Sequence, residues 1–252
     1  MQGKSRLAAI ILAAGKGTRM KSELAKVLHP LLGAPMLSYP VAAAKEVGSE
    51  EIVVVIGHQA DSIRKALDDR AITFVLQEKQ LGTGHAVLQT RSRFKNFRGT
   101  ILILCGDVPL LRSATIQALL NQHLSSGAVL TVLTTVLENP GGYGRVIKTG
   151  DDVLKIVEAR DASDEEKEIR EINTGIYCVD SGFLFEAVAA ISNDNAQREY
   201  YLTDIVEIAS RSGKKVKTFI ASDSAEVMGI NTKDDLEKAK RVLRERAGMP
   251  HR

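Results

Sequence analysis

Residues 7–20, LAAIILAAGKGTRM, decide the fold. Eight apolar residues, 7–14, run directly into a loop carrying Gly15, Gly17 and the cations Lys16 and Arg19. A short apolar run closed by glycine reads as a strand buried on both faces, here 7–12. It is far too short for a membrane span, which needs about 20 apolar residues. Lys4 and Arg6 ahead of the run give it the outline of a signal peptide, but it leads straight into a charged glycine-rich loop, so a first strand is the better reading.

The pattern repeats outward from there. IVVVI at 52–56 stops at Gly57, and further runs lie at 72–76, 101–104, 129–136, 176–179 and 216–220. Between them, helical spacing predicts helices over 36–47, 62–67, 86–94, 114–124, 183–191, 203–209 and 234–246. This alternation predicts an α/β fold of Rossmann-like kind, a mostly parallel sheet with helices on both faces and right-handed crossovers. Residues 141–158, punctuated by Gly142, Gly144 and Gly150, read as a β-hairpin insertion over the open strand ends. The charged stretch 161–172 reads as a solvated loop or a short exposed helix.

With 252 residues the chain makes one large domain, or one domain with an appendage. Lys and Arg number 34 against 31 Asp and Glu, and no long block carries one sign, which argues against a dedicated nucleic-acid binder. Aromatics at 4% with no Trp leave little for base stacking. Cys105 and Cys178 have neither the number for a disulfide framework nor a zinc-ligand spacing, and they predict a reducing, cytoplasmic setting.

In an open α/β sheet the ligand lies outside the carboxyl ends of the strands, so residues that follow strands are the candidates. Leu12, Ala13, Ala14 and Gly15 open a loop whose backbone can approach phosphate oxygens, although its spacing is neither the G-x-G-x-x-G fingerprint nor the P-loop. Arg19 offers a fork for two phosphate oxygens and Lys26 a compact second charge. A tight turn with solvated cations is the competing account. After the apolar run 101–104, Cys105, Gly106 and Asp107 place a carboxylate where Mg²⁺ could bind, since that ion takes one or two carboxylates plus substrate phosphates. Asp107 could equally cap the following turn. Asn231 could lend a neutral oxygen to the same metal or simply start a helix.

With these residues assembled, the chain resembles the sugar-1-phosphate nucleotidyltransferases, and within them the uridylyltransferase domain of bacterial N-acetylglucosamine-1-phosphate uridylyltransferases. The resemblance runs through LAAGKGTRM (12–20), KVLH (26–29), QLGTGHA (80–86), GDVPL (106–110), GYGR (142–145), EINTG (171–175) and NAQREYYLTD (195–204). It implies that Leu12, Ala13, Ala14, Gly15, Arg19, Lys26, Cys105 and Gly106 hold the nucleotide and its phosphates. Gln77, Gln80, Gly82 and Thr83 would read uracil, with the N–H groups of a helix opened at 82–83 left free. Asp107 and Asn231 would ligate Mg²⁺. Gly144, Glu158, Asn173, Tyr201 and Thr203 would line the amino-sugar pocket, Tyr143 would close over the sugar, and His85 would be a packing or helix-start residue.

The implied reaction joins UTP and N-acetylglucosamine 1-phosphate, releasing pyrophosphate, with Arg19, Lys26 and Asp107 as the catalytic groups. Three departures stand out: Ala25 where proline is usual before the lysine, Cys105 where an aromatic is common, and Arg198 where glycine is usual. Residues 1–229 would form the transferase domain and 230–252 a helical arm, without the left-handed β-helix domain that acetylates and trimerises the longer family members. A monomer is therefore expected rather than a trimer. Another hexose 1-phosphate, thymidine triphosphate, or a non-catalytic nucleotide-sugar-binding subunit are the competing functions.

Overall fold

A computed structural model describes residues 6–249. Lys4 and the outermost ends of the 1–229 and 230–252 division fall outside the described residues. The chain runs through β1 (Leu7–Ala13), β2 (Pro30–Leu31), β3 (Ala34–Pro35), α1 (Ser38–Glu46), β4 (Glu51–Ile56), α2 (Ala60–Ala66), β5 (Ile72–Leu76), α3 (Thr83–Leu88), β6 (Thr100–Cys105) and α4 (Ser113–Ser126). It continues through β7 (Leu130–Val136), β8 (Arg145–Thr149), β9 (Asp152–Val157), α5 (Asp164–Lys167), β10 (Glu171–Asp180), α6 (Ser181–Ala190), α7 (Asp204–Arg211), β11 (Val216–Ile220) and α8 (Lys233–Arg246).

The main sheet has the order β11-β7-β10-β6-β1-β4-β5. Neighbours run parallel except β10, which is antiparallel to both β6 and β7. Alternation along β1 explains why its apolar run is unbroken. Ala9, Ile11 and Ala13 face a core shared with Val41 of α1, Ile63 of α2 and Ile116 of α4, whereas Ala8 and Ile10 face Val87 of α3, Leu184 of α6 and Ile205 of α7. Each fully buried aliphatic of this kind contributes about 1.5–3 kcal/mol. No helix among the described residues is long and apolar enough to cross a membrane.

Two local features differ from the periodicity, and a third matches one of the two readings given for it. The helix expected over 86–94 starts earlier and stops at Leu88, because the Thr90 hydroxyl turns back onto the Val87 carbonyl at 2.7 Å and the chain proceeds in tight turns that bury Phe94 and Phe97. The strand expected over 176–179 begins at Glu171, extended through a bulge between Asn173 and Ile176 where Gly175 takes φ +79°. The charged stretch 161–172 holds α5, started by a reciprocal Ser163–Glu166 capping box, before β10 begins.

The hairpin β8–β9 hangs on β10 through the pair Arg145–Ile172. Leu236 and Ala239 form an apolar stripe on α8 that packs on the chain's own Met20, Leu31, Met36 and Leu110, with Val242 and Leu243 at its margin. Arg246 fixes the far end by donating to the Leu110 carbonyl at 2.6 Å.

Candidate active site

β1 lies between β4 and β6, so the chain leaves β1 toward one side of the sheet and later returns on the other. The carboxyl ends of β1 and β6, with Leu12 opposite Cys105, therefore border the crevice where open α/β sheets bind ligands. The Gly106 N–H donates to the Leu12 carbonyl at 2.9 Å and ties the two loops together. A cleft of ≈ 730 Å³ opens there.

Its walls bring together Leu12, Ala13, Ala14 and Gly15 from the first loop, and Gln77, Gln80, Gly82 and Thr83 from the segment after β5. Lys26, Cys105 and Asp107 complete the lining. A Cβ added at Gly15 would meet no protein atom within 4 Å, so this backbone faces open space. Gly17 differs: it takes φ +61°, and a Cβ there would run into the stem of Lys26.

Lys26 Nζ forms a close ion pair with Asp107 and donates at 2.7 Å to Asn231 Oδ1. Arg19 donates to the same Asn231 oxygen at 2.7 Å. Arg19 and Asn231 thus join Lys26 and Asp107 although neither borders the cleft itself. Asn231 is oriented by its own Nδ2, which donates to the Gly229 carbonyl at 3.1 Å, and by the cap of α8, where Asp235 accepts its N–H at 3.1 Å. A carboxylate oxygen and an amide oxygen that already share one cation are hard donors suited to a divalent ion, with phosphate oxygens and water filling the remaining positions.

After β5, Gln77 is only 3% exposed. Its amide nitrogen lies 3.0 Å from the Gly82 carbonyl and 3.0 Å from His85 Nδ1, so His85 is a hydrogen-bonding partner rather than simple packing. Gln80 donates to the Gln77 carbonyl at 2.9 Å. The N–H groups at the start of α3 are not all free: Gly84 donates to the Tyr200 carbonyl at 2.8 Å. Thr83 Oγ1 likewise accepts the Leu202 N–H at 3.0 Å. The 200–202 segment needs donors and acceptors for its own backbone, and α3 supplies them, clasping that segment to the start of the helix.

Gly144, Glu158, Asn173 and Thr203 lie together beyond it. Thr203 donates to Glu158 Oε1 at 3.2 Å, the Asn173 N–H donates to the Gly144 carbonyl at 2.9 Å, and a Cβ on Gly144 would stand 3.6 Å from Glu158 Oε1. Burial raises the Glu158 carboxyl above its ordinary range, opposed by the Thr203 bond and reinforced by Asp204, Asp161 and Glu199. Tyr201 is buried with its hydroxyl engaged, donating to Asp161 at 3.2 Å and accepting from Gln197 at 2.9 Å. Cys105 joins the two regions, its thiol donating to the Gly175 carbonyl at 3.4 Å. Burial, reinforced by Asp107, pushes that thiol up to about 12, so it is protonated and not nucleophilic at neutral pH.

The Tyr143 hydroxyl accepts the Gly229 N–H at 3.3 Å, linking the hairpin to the Asn231 loop. Arg198 has an exposed side chain and φ +54°, the left-handed conformation that glycine adopts without strain. His58 is exposed beside the first loop. Lys16, Thr18 and Glu199 also line the cleft and were not singled out by motif. Nor was Gln59, whose side chain clamps the backbone of Glu23 and Ala25 just before Lys26. Its own backbone is left-handed, φ +55°, at a non-glycine position.

A cleft thus opens at the carboxyl ends of β1 and β6, with a carboxylate, an amide and two cations converging beside it. Residues 9–203 match the family of MobA-like NTP transferase domains, and the chain belongs to that family. Among curated proteins it is similar to the Bifunctional protein GlmU of Geobacter metallireducens, 54% identical over 242 residues covering 95% of this chain and 51% of the relative. It is similar also to the Bifunctional protein GlmU of Geotalea daltonii, 53% identical over 244 residues covering 96% of this chain and 53% of the relative. The chain thus spans about half the length of the curated relatives it matches. Its fold is that of a solved UDP-glucose pyrophosphorylase in complex with UDP-glucose, with TM-score 0.73, 17% identity, and coverage of 96% of this chain and 100% of the other.

Proposed function

We propose that this chain catalyses Mg²⁺-dependent transfer of a uridylyl group from UTP to N-acetylglucosamine 1-phosphate, giving UDP-N-acetylglucosamine, an envelope precursor, and pyrophosphate. The observation that carries the reading is the convergence of Arg19, Lys26, Asp107 and Asn231 beside a cleft lined by the buried Gln77. The roughly half-identical relatives over nearly the whole chain support it.

A phosphate oxygen of the sugar phosphate attacks the α-phosphorus of UTP in line; one P–O bond forms as the bond to the pyrophosphate oxygen breaks. A phosphomonoester has its second pKa near about 6, so the nucleophile is largely dianionic at neutral pH and a general base would add little. What the chain must supply is positioning and neutralisation between two anions. Arg19 and Lys26 would turn from Asn231 to phosphate oxygens, stabilising the departing pyrophosphate. Asp107 and Asn231 would hold Mg²⁺, which supplies charge neutralisation between the reacting phosphates.

The sugar hydroxyls and acetamide call for partners that the wrong sugar would leave unpaired, a chemistry Glu158, Asn173 and Thr203 possess. In this reading residues 1–229 carry the transferase and 230–252 form an arm that lends Asn231. The α8 stripe is covered by the chain's own side chains, which favours a monomer, and the free thiols fit a cytoplasmic setting.

The test is pyrophosphate release with Mg²⁺ across UTP and dTTP, each with N-acetylglucosamine 1-phosphate and glucose 1-phosphate. Turnover highest with UTP and the amino sugar is expected. Turnover with another pair alone would move the specificity, and nucleotide-sugar binding without turnover would replace the reading with a non-catalytic subunit.

A further inference from the structure

His85 stands behind Gln77, with its two ring nitrogens 3.0 Å from Gln77 Nε2 and 3.1 Å from Gln89 Nε2. A neutral imidazole has one acceptor and one donor, so both glutamines cannot donate to it. Burial lowers the His85 pKa, which favours the neutral ring. The two glutamines are not equally free to turn. Gln77 is buried and its second N–H is committed to the Gly82 carbonyl at 3.0 Å, an acceptor only. Gln89 is half-buried at the end of α3 and can exchange its 3.2 Å bond to the His85 carbonyl for water.

The ring proton therefore belongs on Nε2, facing the oxygen of a turned Gln89, and Nδ1 accepts from Gln77. With both amide protons used inward, the polar atom Gln77 has left for the cleft is Oε1, an acceptor. We propose that His85 is a specificity-positioning residue: it locks the Gln77 amide so that the cleft presents an acceptor, selecting a pyrimidine whose N3 carries a proton, uracil or thymine, and rejecting cytosine, whose N3 is itself an acceptor. The proposal rests on the nucleotide reading of this cleft and deepens it, since it assigns the device that fixes which edge of the base is read.

The experiment is direct titration of UTP and CTP onto the protein by calorimetry, alongside turnover with the amino-sugar phosphate. Wild type should bind UTP in preference to CTP. His85→Leu removes the acceptor and frees the Gln77 amide to turn, so the UTP-to-CTP affinity ratio should fall by about tenfold or more, while kcat with UTP changes much less than KM. His85→Asn, which can place a side-chain oxygen near the Nδ1 position, should restore most of the ratio. A wild-type protein indifferent to the two bases would overturn the proposal, and so would a folded His85→Leu variant, checked by thermal melt, that loses affinity for both nucleotides equally. Because the titration does not depend on turnover, discrimination without pyrophosphate release would leave this device standing and overturn only the reaction.

Discussion

Gln59 and Ala25 make a sharp prediction about how the loop carrying Lys26 is held. Gln59 Oε1 accepts the Ala25 N–H at 2.9 Å, and its amide nitrogen donates closely to the Glu23 carbonyl. A typical intramolecular hydrogen bond contributes about 0.5–1.5 kcal/mol, so Gln59→Ala should lower stability by about 1–3 kcal/mol. At roughly 2–4 °C per kcal/mol for a chain near this size, a mid-range loss moves the melting temperature down by about 4–8 °C.

Ala25 is buried with φ −52°, inside the range proline prefers. In the wild-type background Ala25→Pro removes the N–H and sets a ring against the Gln59 oxygen, so it should destabilise. In the Gln59→Ala background it removes an unpaired N–H and restricts the unfolded chain, for a gain of about 0.4–1 kcal/mol. The same substitution should therefore change sign between backgrounds, with a coupling above about 1 kcal/mol in a double-mutant cycle followed by urea denaturation. Effects that add to within about 0.5 kcal/mol would refute the clamp.

Three further outcomes follow. Gly15→Ala places a methyl where no protein atom lies within 4 Å, so the melting temperature should hardly move while the KM for UTP rises; a stability loss with unchanged KM would argue against a ligand-facing backbone. Arg198→Gly relieves a left-handed residue at φ +54°, a strain of about 1–2 kcal/mol partly offset by glycine's greater freedom when unfolded, so stability should rise by at most about 1 kcal/mol, with no change in the ratio of kcat/KM between amino-sugar and glucose 1-phosphate. Burial, with Glu207 and Asp161 adding, pushes Asp204 up to about 6. Its favourable contribution is complete below the unfolded carboxyl pKa near about 3.9 and is lost as pH rises through about 6. Asp204→Asn should consequently stabilise the protein at pH 7–8 and do little near pH 4, and a uniform shift across that range in thermal melts would contradict the assignment.

The central strands are legible because both faces of each are buried, which forces unbroken apolar runs such as Ile52–Ile56 and Ile101–Leu104. Their ends locate Leu12 and Asp107 at the crevice with no knowledge of family. The 89–97 turns are not legible, since Phe94 and Phe97 keep a helix-like spacing while Thr90 closes the helix through a side-chain bond. Meetings across long separations are hidden as well: Thr203 reaches Glu158 across 45 residues, and Gln59 reaches Ala25 across 34. Family resemblance points toward the first of these pairs, while the second follows from no local pattern. Arg198, where glycine is usual in the family it resembles, takes the left-handed conformation with its side chain exposed, a backbone feature no local pattern announces.

The central claim is that Asp107, Lys26 and Asn231 form a metal-dependent transfer site rather than a structural ion pair. The most direct measurement is pre-steady-state pyrophosphate release by Asp107→Asn with UTP, Mg²⁺ and N-acetylglucosamine 1-phosphate, beside UTP binding to the same variant. Removing one group that stabilises developing charge lowers kcat by about 10²–10³, and the account predicts a loss of that size with UTP affinity changed only a few-fold. Equal losses in binding and turnover, or full activity in the variant, would contradict it.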